Sequence, residues 1–571
     1  MGVKLTPDAP RTNADHTRAS VAIIGAGISG ICMAIDLLTR NSCADFVILE
    51  QSSGVGGTWL DNKYPGCCCD VWSVLYSFSF AQNAGWTRAY PGQEEILEYL
   101  RNVASKYQLY KYIRFNSKVQ AATWDDAGGV WKVDVGVTGS KDKEFSPGYV
   151  LEADFLVSAV GQLNQPRYPQ IEGLESFEGK VVHSARWDWS YDLQGKSVGI
   201  IGNGATAAQI IPEILPVVKD LTVYQRSPNW VIPRDDAPVP AWQRTLYSWV
   251  PPLRWRKRAA MMDFRESFHA AVTDGSSAFA DLLRTLCGDM MRRQIPDRPD
   301  LWEKLTPTYN PGCKRVIISD DYYPALASPK TTLETTAIAR ITPTGIEMRD
   351  GTHHAHDTLV LATGFHTTTF LAPLHITGPH GVPLPPTAPE ALYGTSIPGL
   401  PNLALFYGPN TNLGHNSIIL MIEAQSRYIN GLVSAVLDAR RRGTRLSLMP
   451  KAPRTRAFNA DMQAALQESS FADKGCGSWY KDAEGRVVNN WSGTVVEYQE
   501  LVSRVRWDEF ETVEGACASG VVFGGREETK VGRVREETVV SNTALAVGAL
   551  GAVAAGAAWW AGLGRRVRFG R

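Results

Sequence analysis

The sequence predicts an α/β protein with two βαβ units, a helical insertion and an apolar C-terminal helix. Each unit starts with a short apolar run that stops at glycine and continues at helical spacing: "VAIIGAGISGICMAIDLL", residues 21–38, and "SVGIIGNGATAAQIIPEIL", residues 197–215. A second apolar run follows in both places, at residues 46–50 and 221–227. This order of strand, glycine turn, helix and strand indicates two parallel sheets.

The first glycine turn has the spacing of a dinucleotide-binding motif. "GAGISG" fits G-x-G-x-x-G: Gly25 permits the tight turn, Gly27 lets the backbone approach a pyrophosphate, and Gly30 allows close packing of the helix. Glu50 ends the next apolar strand and is placed to accept hydrogen bonds from a ribose. The pattern predicts a Rossmann-like nucleotide-binding domain.

The second unit carries the variant motif G-x-G-x-x-A at Gly202, Gly204 and Ala207. Its second strand ends in Arg226 and Ser227 rather than in an acid. A carboxylate would repel a 2′-phosphate, whereas a guanidinium pairs with it. The second unit is therefore predicted to prefer NADPH to NADH.

Composition argues against nucleic acid as a partner and for a reducing compartment. The 58 basic and 58 acidic residues cancel, so no overall field attracts a polyanion. The nine cysteines show no regular spacing, and the N-terminus has no apolar core that would serve as a secretory signal. Three cysteines are consecutive in "YPGCCCDVW", residues 64–72, but adjacent side chains do not converge on one metal ion. No metal site is expected.

The C-terminal tail differs from the rest of the chain. "ALAVGALGAVAAGAAWWAGL", residues 544–563, has the length of a spanning helix, with Trp559 and Trp560 near one end and "RRVRFGR" after it. The sequence thus predicts a transmembrane helix over 538–564 and a single-pass membrane protein with its body facing the cytosol. A cytosolic location is the alternative.

Two longer motifs give the sequence a family resemblance. "FEGKVVHSARWD" fits F-x-G-x-x-x-H-x-x-x-W-[PD], and a second signature, G-G-x-W-x-x-x-x-Y-P-G-x-x-x-D, is also complete. Their fixed positions are Phe177, Gly179, His183, Trp187 and Asp188 in the first, and Gly56, Gly57, Trp59, Tyr64, Pro65, Gly66 and Asp70 in the second. Over residues 18–510 the chain resembles the flavin-dependent Baeyer–Villiger monooxygenases, and it is more similar to their fungal and hydroxyacetophenone-type branch.

The resemblance implies FAD in the first unit and NADPH in the second. Lys314 would join Arg226 and Ser227 on the 2′-phosphate, Arg315 would face the flavin, and Asp70 would hold Arg315. The family usually has Pro after this arginine, whereas this chain has Val316. The motif of His183 and Trp187 would couple domain movement rather than take part in bond chemistry.

Further cofactor contacts follow from the resemblance alone. Gly408, Pro409 and Asn410 would lie near the isoalloxazine, and the late loop "GCGSWYKDAEG", residues 475–485, would cover the active site. The remaining contacts are expected at Gly57, Thr58, Trp59, Tyr76 and Val119 for FAD, and at Ala205, Thr206 and Gln209 for the nicotinamide nucleotide. Trp479 would contact the nicotinamide side or the substrate.

The implied activity is insertion of one oxygen atom of O2 into a hydrophobic ketone, giving an ester or lactone through a flavin C4a-peroxide, in secondary metabolism. Arg315 is the candidate cation for the peroxide. One alternative is a flavin monooxygenase that oxidises sulfur or nitrogen or hydroxylates carbon. A disulfide reductase would need a redox cysteine pair where Trp59 stands, and a non-catalytic, membrane-tethered flavoprotein is a third alternative.

The predicted domain boundaries follow the motifs. They are a flexible N-terminus (1–19), a first part of the FAD domain (20–153), an NADPH domain (154–375) with a helical insertion (241–294), a second part of the FAD domain (376–514), a linker (515–537), the transmembrane helix (538–564) and a basic tail (565–571).

Overall fold

The computed structural model describes residues 17–138, 147–385, 390–512, 527–538 and 542–567. Its architecture is mixed α/β with two Rossmann-type sheets, which confirms that part of the predicted fold class. Parts of the predicted N-terminus and linker, residues 1–16 and 515–526, lie outside the described residues.

The strands of the described chain are, in order, β1 (Arg18–Ile24), β2 (Phe46–Leu49), β3 (Ile113–Arg114), β4 (Ser117–Asp125), β5 (Val130–Val137), β6 (Gly148–Ser158), β7 (Lys180–His183), β8 (Ser197–Ile201), β9 (Asp220–Tyr224), β10 (Val231–Ile232), β11 (Ile317–Ile318), β12 (Thr331–Glu334), β13 (Ile338–Thr342), β14 (Gly345–Met348), β15 (His353–Ala355), β16 (Thr358–Leu361), β17 (His375–Thr377), β18 (Leu403–Leu405), β19 (Leu448–Pro450), β20 (Arg504–Arg506), β21 (Phe510–Thr512) and β22 (Glu528–Lys530).

The α-helices of the described chain are, in order, α1 (Ile28–Arg40), α2 (Thr58–Asp61), α3 (Gln93–Lys106), α4 (Ala205–Ile214), α5 (Ala241–Trp249), α6 (Pro251–Ser267), α7 (His269–Thr273), α8 (Ala278–Gln294), α9 (Pro299–Leu305), α10 (Tyr322–Ala327), α11 (Ile418–Arg441), α12 (Ala452–Gln467), α13 (Val495–Leu501) and α14 (Asn542–Val567).

The first sheet has eight strands in the order β17-β4-β5-β6-β1-β2-β3, and β18 pairs with β6. β1 runs parallel to β2 and to β6, with Ile24 opposite Leu49 and Ser158, so its carboxyl end lies between two parallel neighbours. The glycine turn that follows β1 therefore opens at the edge of the sheet where ligands of α/β folds bind.

The second sheet has five parallel strands in the order β12-β9-β8-β16-β7. β8 is flanked by β9 and β16, with Ile201 opposite Tyr224 and Leu361. The second glycine turn thus repeats the geometry of the first. His183 ends β7 at the same edge of this sheet.

Helices α1 and α11 pack together in one apolar core. Ile31 and Ile35 of α1 lie in the same buried cluster as Ile422 and Ile429 of α11. Because α11 comes more than 350 residues after α1 in the sequence, the chain leaves the first unit, builds the second and returns.

A buried ion pair holds the segment 527–538 to the helical region. Nε and Nη2 of Arg258, in α6, donate to Glu536 at 2.5 and 3.1 Å, and both side chains are only 3% exposed. Arg258 also donates to the backbone carbonyls of Val74 and Ser77 at 2.7 and 2.9 Å. Residues 527–537, the described part of the predicted linker, are thus anchored to the body; β22 also pairs with β20.

The predicted transmembrane helix and membrane localisation are wrong. The tail forms α14, but none of the helices in the described parts of the chain combines the length and the hydropathy that a membrane span requires. Ala and Gly dominate residues 544–563, whereas insertion is driven chiefly by Leu, Ile, Val and Phe. The predicted basic tail lies partly outside the described residues, which end at 567.

We expect Glu536→Gln to destabilise the protein, because the substitution removes the carboxylate charge that is hydrogen-bonded to the buried Arg258 and leaves only the charge of Glu423 to compensate it. Breaking a buried pair in this way costs about 3–5 kcal/mol, and a clearly lower midpoint of thermal unfolding is expected. Glu527→Gln, at an exposed position of the same segment, serves as the matched control. Equal midpoints for the two variants would contradict this role of Glu536.

Candidate functional site

The first glycine turn is shaped by backbone contacts that leave no room for side chains. Gly25 has φ +106°, and a Cβ there would lie 2.6 Å from the carbonyl oxygen of Ala159. Gly57 has φ +52°, and its Cβ would lie 2.9 Å from Cα of Gly27. A third Cβ, on Gly30, would lie 2.0 Å from the carbonyl oxygen of Gly25. The two backbone segments that would border a pyrophosphate therefore require glycine at these positions.

Glu50 ties the end of β2 to this turn. It is 5% exposed, and its two carboxylate oxygens accept hydrogen bonds from the backbone N–H groups of Ala26, at 2.7 Å, and Ser52, at 2.8 Å. Burial raises the pKa of Glu50, and the two hydrogen bonds partly oppose this effect. Each carboxylate oxygen keeps a second lone pair, which can accept from a ribose hydroxyl.

The other residues expected at the first site lie in two places, after the Gly57 turn and in β4. Thr58 and Trp59 are the first two residues of α2, which begins directly after Gly57. Trp59 donates from Nε1 to the hydroxyl of Tyr76 at 3.1 Å. Val119 is a buried residue of β4 and packs in the same apolar cluster as Leu49.

The second glycine turn repeats the first and remains open at its middle glycine. Gly202 has φ +109°, and a Cβ there would lie 2.5 Å from the carbonyl oxygen of Ala362. A Cβ on Gly204 would meet no atom within 4 Å. Ala205 and Thr206 form the partly exposed first turn of α4, and Ala207 is fully buried in the place of the third glycine. There is therefore open space beside the backbone at the start of α4, as a phosphate site needs.

Three polar side chains meet beyond the end of β9. Lys314 donates from Nζ to the hydroxyl of Ser227 at 2.5 Å, and Arg226 lies exposed beside them. Burial lowers the pKa of Lys314 to about 8, and the neighbouring charge of Arg226 contributes to the shift. Two cations and a hydroxyl in this arrangement suit an anion, and we call these three residues the anion site.

Asp70 and Arg315 form a bidentate ion pair. Nε and Nη2 of Arg315 donate to the two carboxylate oxygens at 2.6 and 2.9 Å, and Nη1 donates to the carbonyl of Leu413 at 3.0 Å. Burial alone would raise the pKa of Asp70, but the charge and hydrogen bonds of Arg315 outweigh it and leave that pKa below its ordinary value. Likewise, burial disfavours the Arg315 cation, but Asp70 raises its pKa. Both groups therefore stay charged.

Arg265 is a functional neighbour that the sequence did not single out. From α6 it donates through Nη2 to the backbone carbonyl of Asp70 at 2.5 Å, and its guanidinium stacks over the Trp72 ring at 5.1 Å. Burial lowers the pKa of Arg265. The helical insertion contains many arginines in similar contexts, so no local pattern distinguishes Arg265 from the others.

The loop that carries Asp70 rests on the second unit. The Tyr64 hydroxyl donates to Oε1 of Gln209 at 2.9 Å, and Nε2 of Gln209 donates to the carbonyl of Cys68 at 3.2 Å. Gly66 has φ +74°, and a Cβ there would lie 2.5 Å from the Gln209 backbone oxygen. Gln209, predicted as a cofactor contact, thus joins the two units. Its side-chain amide binds this loop.

The three consecutive cysteines of this loop are protonated thiols with no sign of activation. Burial raises the pKa of Cys67 to about 12 and that of Cys68 to about 11, and burial also raises the pKa of Cys69. The Cys68 sulfur accepts a hydrogen bond from Nη1 of Arg234 at 2.9 Å. Since none of the three is held as a thiolate, the loop positions Asp70 rather than supplying a nucleophile.

The motif around His183 lies between the two units. His183 is 3% exposed, its Nδ1 accepts from the Ala185 N–H at 3.1 Å, and burial lowers its pKa. Hydrogen bonds from Lys180 and Ser190 lower the pKa of Asp188 to about 2.

The fixed aromatic and glycine positions of the same motif have packing roles. Phe177 is buried, and a Cβ on Gly179 would lie 2.5 Å from the carbonyl oxygen of Asp357. Trp187 is partly buried against the core of the second unit. Its neighbour Trp189 donates from Nε1 to the carbonyl of Lys63 at 2.8 Å, which links this motif to the loop of the first unit.

The late loop lies against the segment that carries Lys314 and Arg315. Its residue Trp479 is partly buried, contacts the Tyr480 ring at a centroid distance of 4.5 Å, and accepts at its carbonyl from the Thr367 hydroxyl at 2.9 Å. A disulfide joins Cys476 of this loop to Cys313. The sequence did not indicate this bond, because the two cysteines are 163 residues apart.

Asn410, expected near the isoalloxazine, holds the segment that follows the late loop. Its side-chain amide donates to the carbonyls of Val487 and Asn490, each at 2.9 Å. The neighbouring Gly408 is packed so closely that a Cβ there would lie 2.2 Å from the carbonyl oxygen of Gly394. These contacts fix the returning segment that also supplies the Leu413 carbonyl.

Comparisons with known proteins agree with this arrangement. The family model described as "Flavin-binding monooxygenase-like" matches residues 18–246. The chain is 50% identical to the "FAD-binding monooxygenase ktnD" of Aspergillus niger, over 96% of this chain and 90% of that protein. It is 39% identical to a "Baeyer-Villiger monooxygenase" of Streptomyces coelicolor, over 88% of this chain and 94% of that protein.

Solved structures show the same fold. An oxidised steroid monooxygenase bound to NADP superposes with a TM-score of 0.74 at 28% identity, covering 87% of this chain and 100% of that one. The OTEMO complex with FAD and NADP superposes with a TM-score of 0.75 at 25% identity, covering 87% of this chain and 99% of that one.

Proposed function

Because the chain belongs to the flavin-binding monooxygenase-like family, and within it to the FAD- and NADPH-dependent Baeyer–Villiger monooxygenases, we propose that it inserts one oxygen atom of O2 beside the carbonyl of a hydrophobic ketone. The product would be an ester or lactone. The ion pair of Arg315 and Asp70 is the observation that supports this reaction best, because it provides a fixed cation beside both nucleotide units.

The residues of the first unit fit FAD. The glycine pair Gly27 and Gly57 brings two backbone segments together at the start of α1, where N–H groups and the helix dipole favour a pyrophosphate. Glu50, already fixed by two backbone hydrogen bonds, has acceptor capacity left for the ribose.

The residues of the second unit fit NADPH. Gly204 leaves the N-terminus of α4 open for the pyrophosphate, and Arg226, Ser227 and Lys314 together offer charge and hydrogen bonds to a 2′-phosphate. When bound, the two cofactors supply hydride transfer and activation of O2.

Arg315 acts in this proposal as a permanent positive charge. Asp70 raises its pKa, so it neither donates nor accepts a proton during the reaction. A fixed cation stabilises negative charge as it develops on oxygen during the reaction. Asp70 is then a positioning residue: it holds the guanidinium by two hydrogen bonds and keeps it charged.

Oxidation of sulfur or nitrogen, or hydroxylation of carbon, is the alternative activity. These reactions develop less negative charge on oxygen and have less need of a cation held this way. Ketone and sulfide substrates assayed side by side, with products identified by mass, separate the two activities. A role in secondary metabolism stays a prediction.

We expect Arg315→Ala to lose ketone oxygenation. Removing one group that stabilises a developing oxyanion costs about 100-fold or more in rate, and the product ester or lactone is measured by gas chromatography. Arg292→Ala, which removes an exposed arginine of α8, is the control and should keep full activity. FAD content is determined for each protein. An FAD-loaded Arg315→Ala protein that forms ester at the normal rate would overturn the assignment.

Arg226→Ala should lower the preference for NADPH over NADH. A charge-assisted hydrogen bond contributes about 1.5–3 kcal/mol, so the ratio of kcat/KM for the two coenzymes should fall by about tenfold or more. The loss should come from NADPH, with NADH kinetics nearly constant. An unchanged ratio would place the 2′-phosphate elsewhere.

Binding of NADP⁺ should weaken as the pH rises through about 8. Below that pH Lys314 is an ammonium, and above it the amine is neutral, whereas a phosphate monoester with its second pKa at about 6 is already dianionic as the pH passes 8. Titrations between pH 6.5 and 9.5 should show this loss for NADP⁺ and not for NAD⁺. Lys314→Arg, which stays charged, should remove the pH step. The same step in this variant would contradict the role of Lys314.

A further inference from the structure

The Cys313–Cys476 disulfide joins two segments that border the nucleotide site. Cys313 directly precedes Lys314 and Arg315, and Cys476 lies three residues before Trp479. The Cα atoms are 6.5 Å apart, within the usual range of about 4.4–6.8 Å for disulfides. Among the described residues this is the one disulfide. We call residues 473–481, which include the first part of the late loop, the cover loop.

Non-covalent contacts hold the base of the cover loop more than its tip. Oδ2 of Asp473 accepts from the N–H of Asn310 at 2.8 Å, and Nζ of Lys481 donates to the Asp473 carbonyl at 2.6 Å. At the tip, residues 474, 475 and 477 are exposed, while Cys476 is only 8% exposed. The disulfide is the covalent attachment of the tip, and it acts together with the packing of Cys476 and the hydrogen bond from Lys481 to the Cys476 carbonyl at 3.3 Å.

The tip also lies against the anion site. A Cβ on Gly477 would come within 3.4 Å of Nη2 of Arg226. On the other side of the bond, Lys314 follows Cys313 directly and reaches Ser227. One covalent bond thus sets the distance between the backbone beside Arg226 and the backbone that carries Lys314.

We propose that the Cys313–Cys476 disulfide is a redox-controlled clamp, which holds the cover loop on the nucleotide site when oxidised and releases it, together with part of the affinity for NADP(H), when a dithiol reduces it. This inference rests on the proposed assignment of Arg226 and Lys314 to the nucleotide phosphate. The partner it implies is a dithiol reductant, such as a protein with a Cys-x-x-Cys motif.

The exchange is balanced in electrons and protons. A thiolate of the reductant attacks the sulfur of Cys476, the more exposed of the two residues, and the S–S bond breaks with Cys313 leaving as a thiolate. The second thiol of the reductant then displaces Cys476 and closes the reductant's own disulfide. Two electrons and two protons pass from the dithiol to the two cysteines.

The surroundings of Cys313 favour this leaving group. Nζ of Lys481 lies 3.8 Å from the Cys313 sulfur and also donates to the Cys476 carbonyl at 3.3 Å. A nearby ammonium stabilises a thiolate and thereby speeds thiol–disulfide exchange. The same lysine would lose one of its acceptors as the loop tip moves away, so opening of the loop and breaking of the bond are coupled.

The test compares oxidised and reduced forms of the FAD-loaded protein. Peptide mass spectrometry without reductant should find the peptides of Cys313 and Cys476 linked, and dithiothreitol should separate them. The Kd for NADP⁺, measured by calorimetry, should be roughly fivefold or more higher after reduction, in the usual range of coupling between sites. Proteolysis within the cover loop should speed up in parallel.

Two variants give the matched comparison. Cys313→Ser/Cys476→Ser should bind NADP⁺ like the reduced wild type in either condition. Cys287→Ser, which removes a buried thiol of the same apolar cluster, should keep the redox response. Should the double variant fail to fold, the dithiothreitol titration of the wild type decides alone.

Three results would overturn the clamp: no linked peptide in the oxidised protein, equal Kd values in the two redox states, or a double variant that binds like the oxidised wild type. These measurements need no ketone turnover. A redox response without ketone oxygenation would refute the proposed reaction only, whereas Arg226→Ala and Lys314→Ala with unchanged NADP⁺ binding would refute the nucleotide assignment.

Discussion

The structure around the site depends on the ion pair between Asp70 and Arg315. Asp70 comes from the loop of the first unit, Arg315 from a segment of the second, and the Leu413 carbonyl, from the returning chain, accepts a further bond from Arg315. Taking two charges partly out of water is costly, and the bidentate geometry helps to offset the cost. Removing Asp70 would leave the charge of Arg315 without its hydrogen-bonded partner where three parts of the chain meet. The pair therefore holds a segment of the second unit against the first unit, and it also fixes the position of the positive charge in the site.

The loop before Asp70 shows how this pair is kept in place. Gly66 lets the backbone contact α4, and Gln209 binds the loop at two points, Tyr64 and Cys68. The three cysteines serve as compact, uncharged residues between these anchors and the carboxylate. The signature fixes Tyr64 and Gly66 because these residues contact the second unit. The three positions that hold cysteine here are not fixed by the signature.

The sequence predicted what depends on local patterns. The two glycine turns, the strands beside them and Glu50 at a strand end follow from spacing within about 30 residues, and the family resemblance predicted that Asp70 pairs with Arg315. Contacts between distant segments could not be predicted in this way: Arg265 on Asp70, Glu536 on Arg258, and the Cys313–Cys476 bond each join positions without a shared local pattern.

The prediction of a membrane span was wrong for another reason. It was inferred from the length and lack of charge of a segment that is composed mostly of Ala and Gly.

Three consecutive residues, Cys313, Lys314 and Arg315, serve three different parts of the site. Cys313 bonds to the cover loop, Lys314 reaches Ser227 beyond β9, and Arg315 reaches Asp70 in the first unit. Gly312, with φ +93° and no room for a Cβ beside the Val272 carbonyl oxygen, fixes the start of this segment, and β11 fixes its end. A backbone shift within so short a stretch cannot move one of these side chains without moving the others. If the proposed assignments hold, a change at Cys313 would therefore also affect the positions of Lys314 and Arg315, which link the cover loop to the phosphate and the cation.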